Sequence, residues 1–305
     1  MGADERACDA LPRPINRVGL VAKSRLREAA GLLRDIAAWL DMRGVKTIFD
    51  EETATMAACP PDAQRLGRDA LPKAVDLILV LGGDGTLLAT AHRIAQADVD
   101  IPILAVNFGS LGFLTEITLP ELYPSLESVL AGTARIDHRR MLRSRVSRDT
   151  QMLTDQLVLN DVVISKSALS SIIDLSVSVG DQFVTTFRAD GLIIASPTGS
   201  TAYNLAAGGP IVHPAVDALV LTPIAPHTLT NRPVVIPTAS EVRVQPLIGD
   251  PNQAAFVSFD GQFGFQLQGN DVVSVVQAAR PLRVVSASAR NYFAVLREKL
   301  KWGER

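Results

Sequence analysis

Apolar positions follow one rhythm in the first half of the chain and another in the second. Residues 75–81 (V-D-L-I-L-V-L) give the strongest strand signal, nearly unbroken in apolar character as a central parallel strand covered on both faces must be. Residues 17–21 (R-V-G-L-V) and 45–49 (V-K-T-I-F) read as two more strands, and residues 101–106 as another that ends at Asn107. Between the first two, Leu26, Ala29, Leu33, Ile36, Ala37 and Leu40 keep a 3.6-residue period, with Ser24 placed to cap the helix and Gly44 to end it. A second helix carries Leu87, Leu88, Ala91, Ile94 and Ala95. The intervening stretch 51–72 is polar, contains proline and shows no clear period. Alternating strands and helices predict an α/β domain with a parallel sheet over residues 1–145.

Beyond residue 150 the helical period all but vanishes. Short segments rich in β-branched residues recur at 158–164, 172–179, 183–187, 234–236, 242–247, 255–259 and 272–276. Gly180-Asp181, Gly249-Asp250 and Gly269-Asn270-Asp271 punctuate them as turns. This pattern predicts an all-β, sandwich-like second domain over residues 146–288. The tail from 289 places Tyr292, Phe293, Leu296 and Leu300 on one helical face, which predicts a terminal helix (289–305) packed back on the first domain. Arg135, Arg139, Arg140, Arg143, Arg145 and Arg148 alternate with small or apolar residues. They read as an arginine-bearing strand pair joining the domains, with a phosphate-binding groove as the alternative.

Composition narrows the partners. At 305 residues the chain is long enough for two domains, and 47% hydrophobic residues supply a sizeable core. Thirty basic against thirty-two acidic residues leave a net charge of −2. No global positive field exists to hold a nucleic-acid duplex or an anionic membrane, so any polyanion must be met by a local pocket. Cys8 and Cys59 are far apart and outside any C-x-x-C spacing, which argues against a disulfide framework and against thiolate zinc. Residues 1–14 carry no apolar signal-peptide core, and no run of 18 apolar residues occurs. The expectation is a soluble protein of a reducing compartment.

Several familiar chemistries are missing. No Gly-Lys dipeptide supports a Walker A loop, and the first strand is followed by Val21-Ala22-Lys23-Ser24 rather than G-x-G-x-x-G. No G-x-S-x-G elbow occurs, and His92, His138, His213 and His227 are isolated. What stands out is Gly82-Gly83-Asp84-Gly85-Thr86, at the carboxyl end of the strongest strand and just before a helix. Its glycines bring backbone N–H groups close to an anion, and the helix N-terminus adds more. A carboxylate there repels phosphate unless it binds a metal or takes a proton from an attacking hydroxyl. Asp84 as a simple N-cap is the alternative.

Three further clusters follow. Residues 107–114 (N-F-G-S-L-G-F-L) put Phe113 at a strand end, as a ring contact for a ligand or as core. Asn160-Asp161 places an amide and a carboxylate in an apolar segment, facing a site or ending a sheet. Residues 188–210 run R-A-D-G-L-I-I-A-S-P-T-G-S-T-A-Y-N-L-A-A-G-G-P, small hydroxyl residues around Gly199 with Tyr203 offering a ring.

Taken in order and spacing, G-G-D-G-T, N-x-G-x-L-G-F-L, Asn160-Asp161, the D-G…T-G-S-T-A-Y block and Asp260-Gly261-Gln262 resemble bacterial NAD kinases over about residues 15–295. G-G-D-G alone is shared with phosphofructokinases and diacylglycerol-kinase-like lipid kinases. The resemblance implies an α/β domain, a β-sandwich-like domain and NAD bound in the cleft between them. It implies ATP as phosphoryl donor, a divalent metal such as Mg²⁺ with no direct protein ligand identified, and a cytoplasmic homodimer or homotetramer. By the same resemblance, Asp84 accepts the proton from the adenosine ribose 2′-hydroxyl as that oxygen attacks the γ-phosphate, and Gly85 packs against phosphates. Asn160 and Asp161 bind ribose and base edges, and Asp190 holds an amide of nicotinamide or adenine with Arg188 beside it. Thr201, Ala202 and Tyr203 line the adenine and ribose, Asn204, Leu205 and Ala206 continue that wall, and Gln262 lies at its edge. Many relatives carry Glu where Asp161 stands, so the shorter arm makes ribose contact less direct there. Position 206 is apolar here, where some relatives place a hydroxyl, so no side-chain hydrogen bond to adenine is assumed. A G-G-D-G lipid kinase and a non-catalytic NAD(P)-sensing protein are the alternative readings.

Overall fold

The structure, a computed structural model, describes residues 14–24, 26–109, 112–167, 170–228, 230–249, 253–286 and 291–303. Cys8, Ser110, Leu111, Asp250 and residues 289–290 and 304–305 of the expected tail helix lie outside them. The chain divides into two compact units, one from its start to His138 together with Leu282 onward, the other Arg139–Pro281. The sequence pattern predicts these divisions at 145/146 and 288/289.

The first unit is built on a seven-stranded sheet in the order Arg65–Leu66, Lys46–Asp50, Arg17–Ala22, Leu77–Gly82, Pro102–Asn107, Leu282–Val285, Ile136–Arg139. The first six pair in parallel. Every residue of Leu77–Gly82 is buried, as its apolar run required. One face, with Val18, Leu20, Leu77, Leu79 and Leu104, packs on Leu33, Ile36 and Leu40 of helix Ala30–Asp41 and on Leu122 and Leu126 of helix Leu122–Leu130. On the other face a side chain at Gly19 would press on Leu71.

Three expectations need correction here. Ser24 does not cap the first helix, which enters through a 3₁₀ turn at Arg27–Ala29, and its hydroxyl donates instead to Glu52 at 2.9 Å. The featureless stretch 51–72 contains helix Glu51–Met56, strand Arg65–Leu66 and helix Leu71–Ala74. Asp50 caps the first of these by accepting from the Thr53 N–H, with Glu51 and Glu52 in the first turn, an N-terminal signature readable in D-E-E-T. The terminal helix Tyr292–Leu300 buries Val295 and Leu296 while Phe293 is exposed, so its apolar face is offset from the expected one. Gly44 behaves as anticipated, with φ at +72° just past the helix end.

The second unit consists of two six-stranded antiparallel sheets. Their inner faces share one core, in which Val146, Leu175, Val244 and Val275 of one sheet pack with Ile164, Leu192, Leu221 and Val257 of the other. Strands Ala218–Ile224 and Phe263–Leu267 were not anticipated. The expected strand 158–164 is broken in two, Gln151–Val158 and Asp161–Lys166, with Asn160 in the bend. The arginine segment forms a strand pair, Leu142–Arg148 with Gln151–Val158. Arg143 and Arg145 share Asp155, and Arg148 grips the buried Asp271 at 2.7 and 3.0 Å, so these guanidiniums are tied into the sheet by ion pairs.

Candidate active site

In the first unit, strand Leu77–Gly82 ends at the carboxyl edge of the sheet and helix Asp84–Gln96 begins at Asp84. The carboxylate of Asp84 reaches across to a loop rather than back to its own helix. Oδ1 accepts from the N–H groups of Leu114 (3.2 Å) and Thr115 (3.0 Å) and from the Thr115 hydroxyl (2.9 Å), while Oδ2 accepts from the Phe113 N–H (2.9 Å). The loop can wrap so closely because residue 112 is glycine: a Cβ there would collide with Asp84 Oδ1. The loop is tied back to the strand end by Asn107, whose Oδ1 accepts from the Gly109 N–H at 2.7 Å. A carboxylate offers about two acceptor positions per oxygen. Oδ1 is therefore filled, and Oδ2 keeps room for one more donor. Asp84 as a plain N-cap is overturned by this geometry.

In the second unit, a cavity of about 420 Å³ is lined by Asn160, Asp161, Ala202, Tyr203, Ser258 and Asp260 among others. Asp260 organises it. From a left-handed turn (φ +50°), its carboxylate accepts from the N–H groups of Leu159 (2.8 Å), Asn160 (2.8 Å) and Asp161 (3.0 Å). That grip bends the chain at Asn160 and sets both side chains at the cavity. The Asn160 side-chain oxygen is buried without a partner among the described residues. Asp161, only 4% exposed, accepts no side-chain hydrogen bond from the described residues. Burial, and then the Asp260 charge, push its carboxyl up to about 7. An unpartnered amide oxygen beside a largely buried carboxyl, on one cavity wall, is what a polar ligand would complete.

The T-G-S-T segment beside them is scaffold. The Ser196 hydroxyl donates to the Leu159 carbonyl and accepts from the Gly199 N–H, while Ser200 links the Pro197 and Val212 carbonyls. Gly199 is needed because a Cβ would strike the Asn160 backbone. The hydroxyls are thus turned inward, not arranged as an open anion nest.

Residues 18–134 match the model of the ATP-NAD kinase N-terminal domain and residues 159–287 that of the ATP-NAD kinase C-terminal domain. The chain is 44% identical over 291 residues to the NAD kinase of Geotalea daltonii, covering 95% of this chain and 100% of that one. The chain belongs to the NAD kinase family. It is accordingly a kinase, and the G-G-D-G lipid-kinase alternative is set aside. Among solved structures, a yeast NADH kinase complexed with NADH superposes with a TM-score of 0.86 at 25% identity, over 96% of this chain and 90% of that one. An NAD kinase from Archaeoglobus fulgidus in complex with ATP gives 0.71 at 25% identity, over 92% and 99%.

The NAD kinase motifs fall in two groups in this structure. Asp84, Gly85 and Phe113 gather in the first unit, where Gly85 is exposed and the Phe113 ring lies under the Lys299 ammonium at 5.7 Å. Asn160, Asp161, Ala202 and Tyr203 share the cavity of the second unit, with Tyr203 46% exposed. Thr201 is half-buried next to them and donates to the Thr198 carbonyl. The others stand off that cavity wall. Asn204 is fully buried, its amide donating to the Ser200 and Pro210 carbonyls and accepting from the Thr222 hydroxyl at 2.6 Å. Leu205 is half-buried, Ala206 exposed, and Gln262 closes a turn onto Phe259. Arg188 is exposed on strand Gln182–Ala189, and Asp190 follows it, 3.8 Å from the Lys166 ammonium.

Two residues with evident work in these sites were not picked from the sequence. Thr115 stands just past the N-x-G-x-L-G-F-L motif, and Asp260 opens the D-G-Q motif from which only Gln262 had been taken. A carboxylate ahead of a Gly turn was the available signal for Asp260. For Thr115 there was none.

Proposed function

We propose that the chain transfers the γ-phosphoryl group of ATP to the 2′-hydroxyl of the adenosine ribose of NAD, giving NADP and ADP. The O2′ lone pair attacks phosphorus, the bond to the β-phosphate oxygen breaks, and the hydroxyl proton passes to Oδ2 of Asp84. The observation that carries this assignment is the posture of Asp84, clamped through Oδ1 and open at Oδ2. A general base must be held still and keep one lone pair for the proton. Asn160 and Asp161 supply the polar contacts to ribose, with Ala202 and Tyr203 forming a flat wall for the base. Thr201, Leu205, Ala206, Gln262, Arg188 and Asp190 belong to the outer contacts of the dinucleotide, and Asn204 serves by bracing the segment that carries Tyr203.

Among the described residues no group of three His, Cys, Asp or Glu could enclose a metal ion. A Mg²⁺ ion would be carried by the nucleotide phosphates and water, with no protein residue assigned as its ligand. When bound it would neutralise charge on the transferred phosphoryl group. No helix among the described residues is long and apolar enough to cross a membrane. The reading extends to a cytoplasmic homodimer or homotetramer, on the strength of the family resemblance, and light scattering on the purified chain tests the assembly.

The deciding experiment incubates the purified chain with NAD, ATP and Mg²⁺ and detects NADP with a dehydrogenase that accepts only NADP. Steady formation of NADP is expected. NAD binding without any turnover would instead favour the sensing-protein reading.

A further inference from the structure

The last helix of the chain, Tyr292–Leu300, belongs to the first unit although the chain before Leu282 belongs to the second. Strand Leu282–Val285 brings it there. That strand pairs in parallel with Pro102–Asn107, so both leave the sheet at the same carboxyl edge. At this edge Asn107 opens the loop that wraps Asp84. The helix is fixed at both ends. Asn291 caps it by accepting from the Ala294 N–H at 2.9 Å. Lys301 ends it in a left-handed turn (φ +53°), and the Trp302 N–H donates back to the Arg297 carbonyl at 3.1 Å. Val295 and Leu296 bury its inner face.

The last turn of this helix carries Arg297 and Lys299, both placed favourably at the negative end of the helix dipole. Arg297 is exposed. Lys299 is half-buried, and its ammonium stands 5.7 Å from the centroid of the Phe113 ring. No carboxylate among the described residues pairs with Lys299, so the ring face is the partner its charge has. A cation within about 6 Å of an aromatic centroid is attracted by the ring quadrupole. Phe113 is close to the chemistry. Its N–H donates to Oδ2 of Asp84 at 2.9 Å, and the next two N–H groups donate to Oδ1. Asn107 ties down the start of this loop and the Thr115 hydroxyl its end. Gly112 between them brings no side chain, so the Phe113 ring is the handle by which the middle of the loop is held.

We propose that Lys299 is a positioning residue for Asp84: its ammonium pins the Phe113 ring, and the pinned loop keeps the Phe113 N–H on Oδ2, the oxygen that takes the proton. The proposal rests on the kinase reading above and adds the terminal helix to the clamp around the base. Lys299 acts through the loop, so its loss lowers kcat and leaves the KM for NAD in place.

Variants of the full chain test it. Lys299→Met keeps the reach of the side chain and removes its charge, while Lys299→Arg keeps a cation. Arg297→Met removes a charge from the same turn, and Phe113→Leu removes the ring. In Lys299→Met kcat is expected to fall about fivefold, the worth of a cation over a ring, with the KM for NAD within about twofold of wild type. Lys299→Arg recovers most of the rate, and Arg297→Met keeps all of it. In the Phe113→Leu background, adding Lys299→Met costs nothing further, because the ring it acts through is gone. Hydrogen exchange followed by NMR reads the same hold without turnover. The Phe113 amide should exchange about fivefold faster in Lys299→Met and near the wild-type rate in Lys299→Arg. An unchanged kcat in Lys299→Met, an arginine variant as slow as methionine, an equal loss in Arg297→Met, or the same loss in the Phe113→Leu background overturns the proposal. Wild-type protein that makes no NADP defeats the kinase reading, and exchange at the Phe113 amide then still decides whether Lys299 holds the loop.

Discussion

The wholly buried hydroxyl of Thr115 donates to Oδ1 of Asp84 at 2.9 Å, so a side chain 31 residues further along the chain sets the orientation of the carboxylate at the G-G-D-G turn. Thr115→Val keeps the volume and removes this bond. About a tenfold loss in kcat is expected, with the KM for NAD little changed, because the bond orients the base and touches no substrate. Thr115→Ser should restore most of the rate. A serine variant as slow as valine would show that packing, not the hydrogen bond, is what Thr115 contributes.

Asp84 itself offers a sharper test. In Asp84→Asn the amide oxygen can still accept from the loop, yet the group can no longer take a proton at neutral pH. Turnover should drop by roughly 10²- to 10⁴-fold, the usual worth of general-base catalysis, while calorimetric NAD affinity is retained. Turnover equal to wild type would remove Asp84 from the proton's path.

Gly112 makes the close wrap possible, since any Cβ at this position would overlap Asp84 Oδ1 and crowd Thr115 Oγ1. Gly112→Ala should therefore push the loop off the carboxylate, with a loss in kcat of about 10² or more and a melting temperature within a few degrees of wild type. Normal kinetics in this variant would mean that the loop does not hold Asp84 during turnover.

Asp260 bridges three consecutive N–H groups, at Leu159, Asn160 and Asp161. An asparagine side chain has only one acceptor oxygen, so Asp260→Asn leaves at least one buried donor unmet, at a cost of about 1–3 kcal/mol. The expected result is a melting temperature lowered by a few degrees and a raised KM for NAD, since the bend at Asn160 loosens. A thermal scan and NAD titration of the variant check both.

The parts legible in the sequence were those whose cause is local. An unbroken apolar run followed by a glycine turn placed Leu77–Gly82 and Asp84 correctly, because burial on both faces and backbone freedom act within a few residues. The family resemblance singled out Asp161 and Tyr203, which the structure brings to one cavity wall. What escaped depends on distant chain. Thr115 reads as one threonine after a hydrophobic stretch, and only the approach of helix Asp84–Gln96 gives its hydroxyl a purpose. Asp260 acts on residues about a hundred positions earlier. Asn204 looked like one more polar wall residue, yet its amide is satisfied internally by Ser200, Pro210 and Thr222. Strand Leu282–Val285 is too short to show a period, and its parallel pairing with Pro102–Asn107 is a tertiary event.

Asp161 connects the cavity of the second unit to pH. Its carboxyl is raised from 3.8 to about 7, first by burial and then by the neighbouring Asp260 charge. Between those values the folded chain binds more protons at this site than the unfolded chain does, so stability contributed here falls as pH rises from about 4 to about 7 and levels off above. The full move is worth on the order of 4 kcal/mol. Asp161→Asn removes the titration. The variant should melt close to wild type at pH 4 and progressively higher than wild type towards pH 8. Ligand binding runs the opposite way. A ribose hydroxyl is held better by a carboxylate than by a neutral carboxyl, so wild-type NAD affinity should tighten as pH rises through about 7, whereas the asparagine variant should be flat across that range. Calorimetric titration of NAD at pH 6, 7 and 8 separates the two effects. A wild-type affinity that does not change over this range would place Asp161 away from the ribose and leave Asn160 as the contact on that wall.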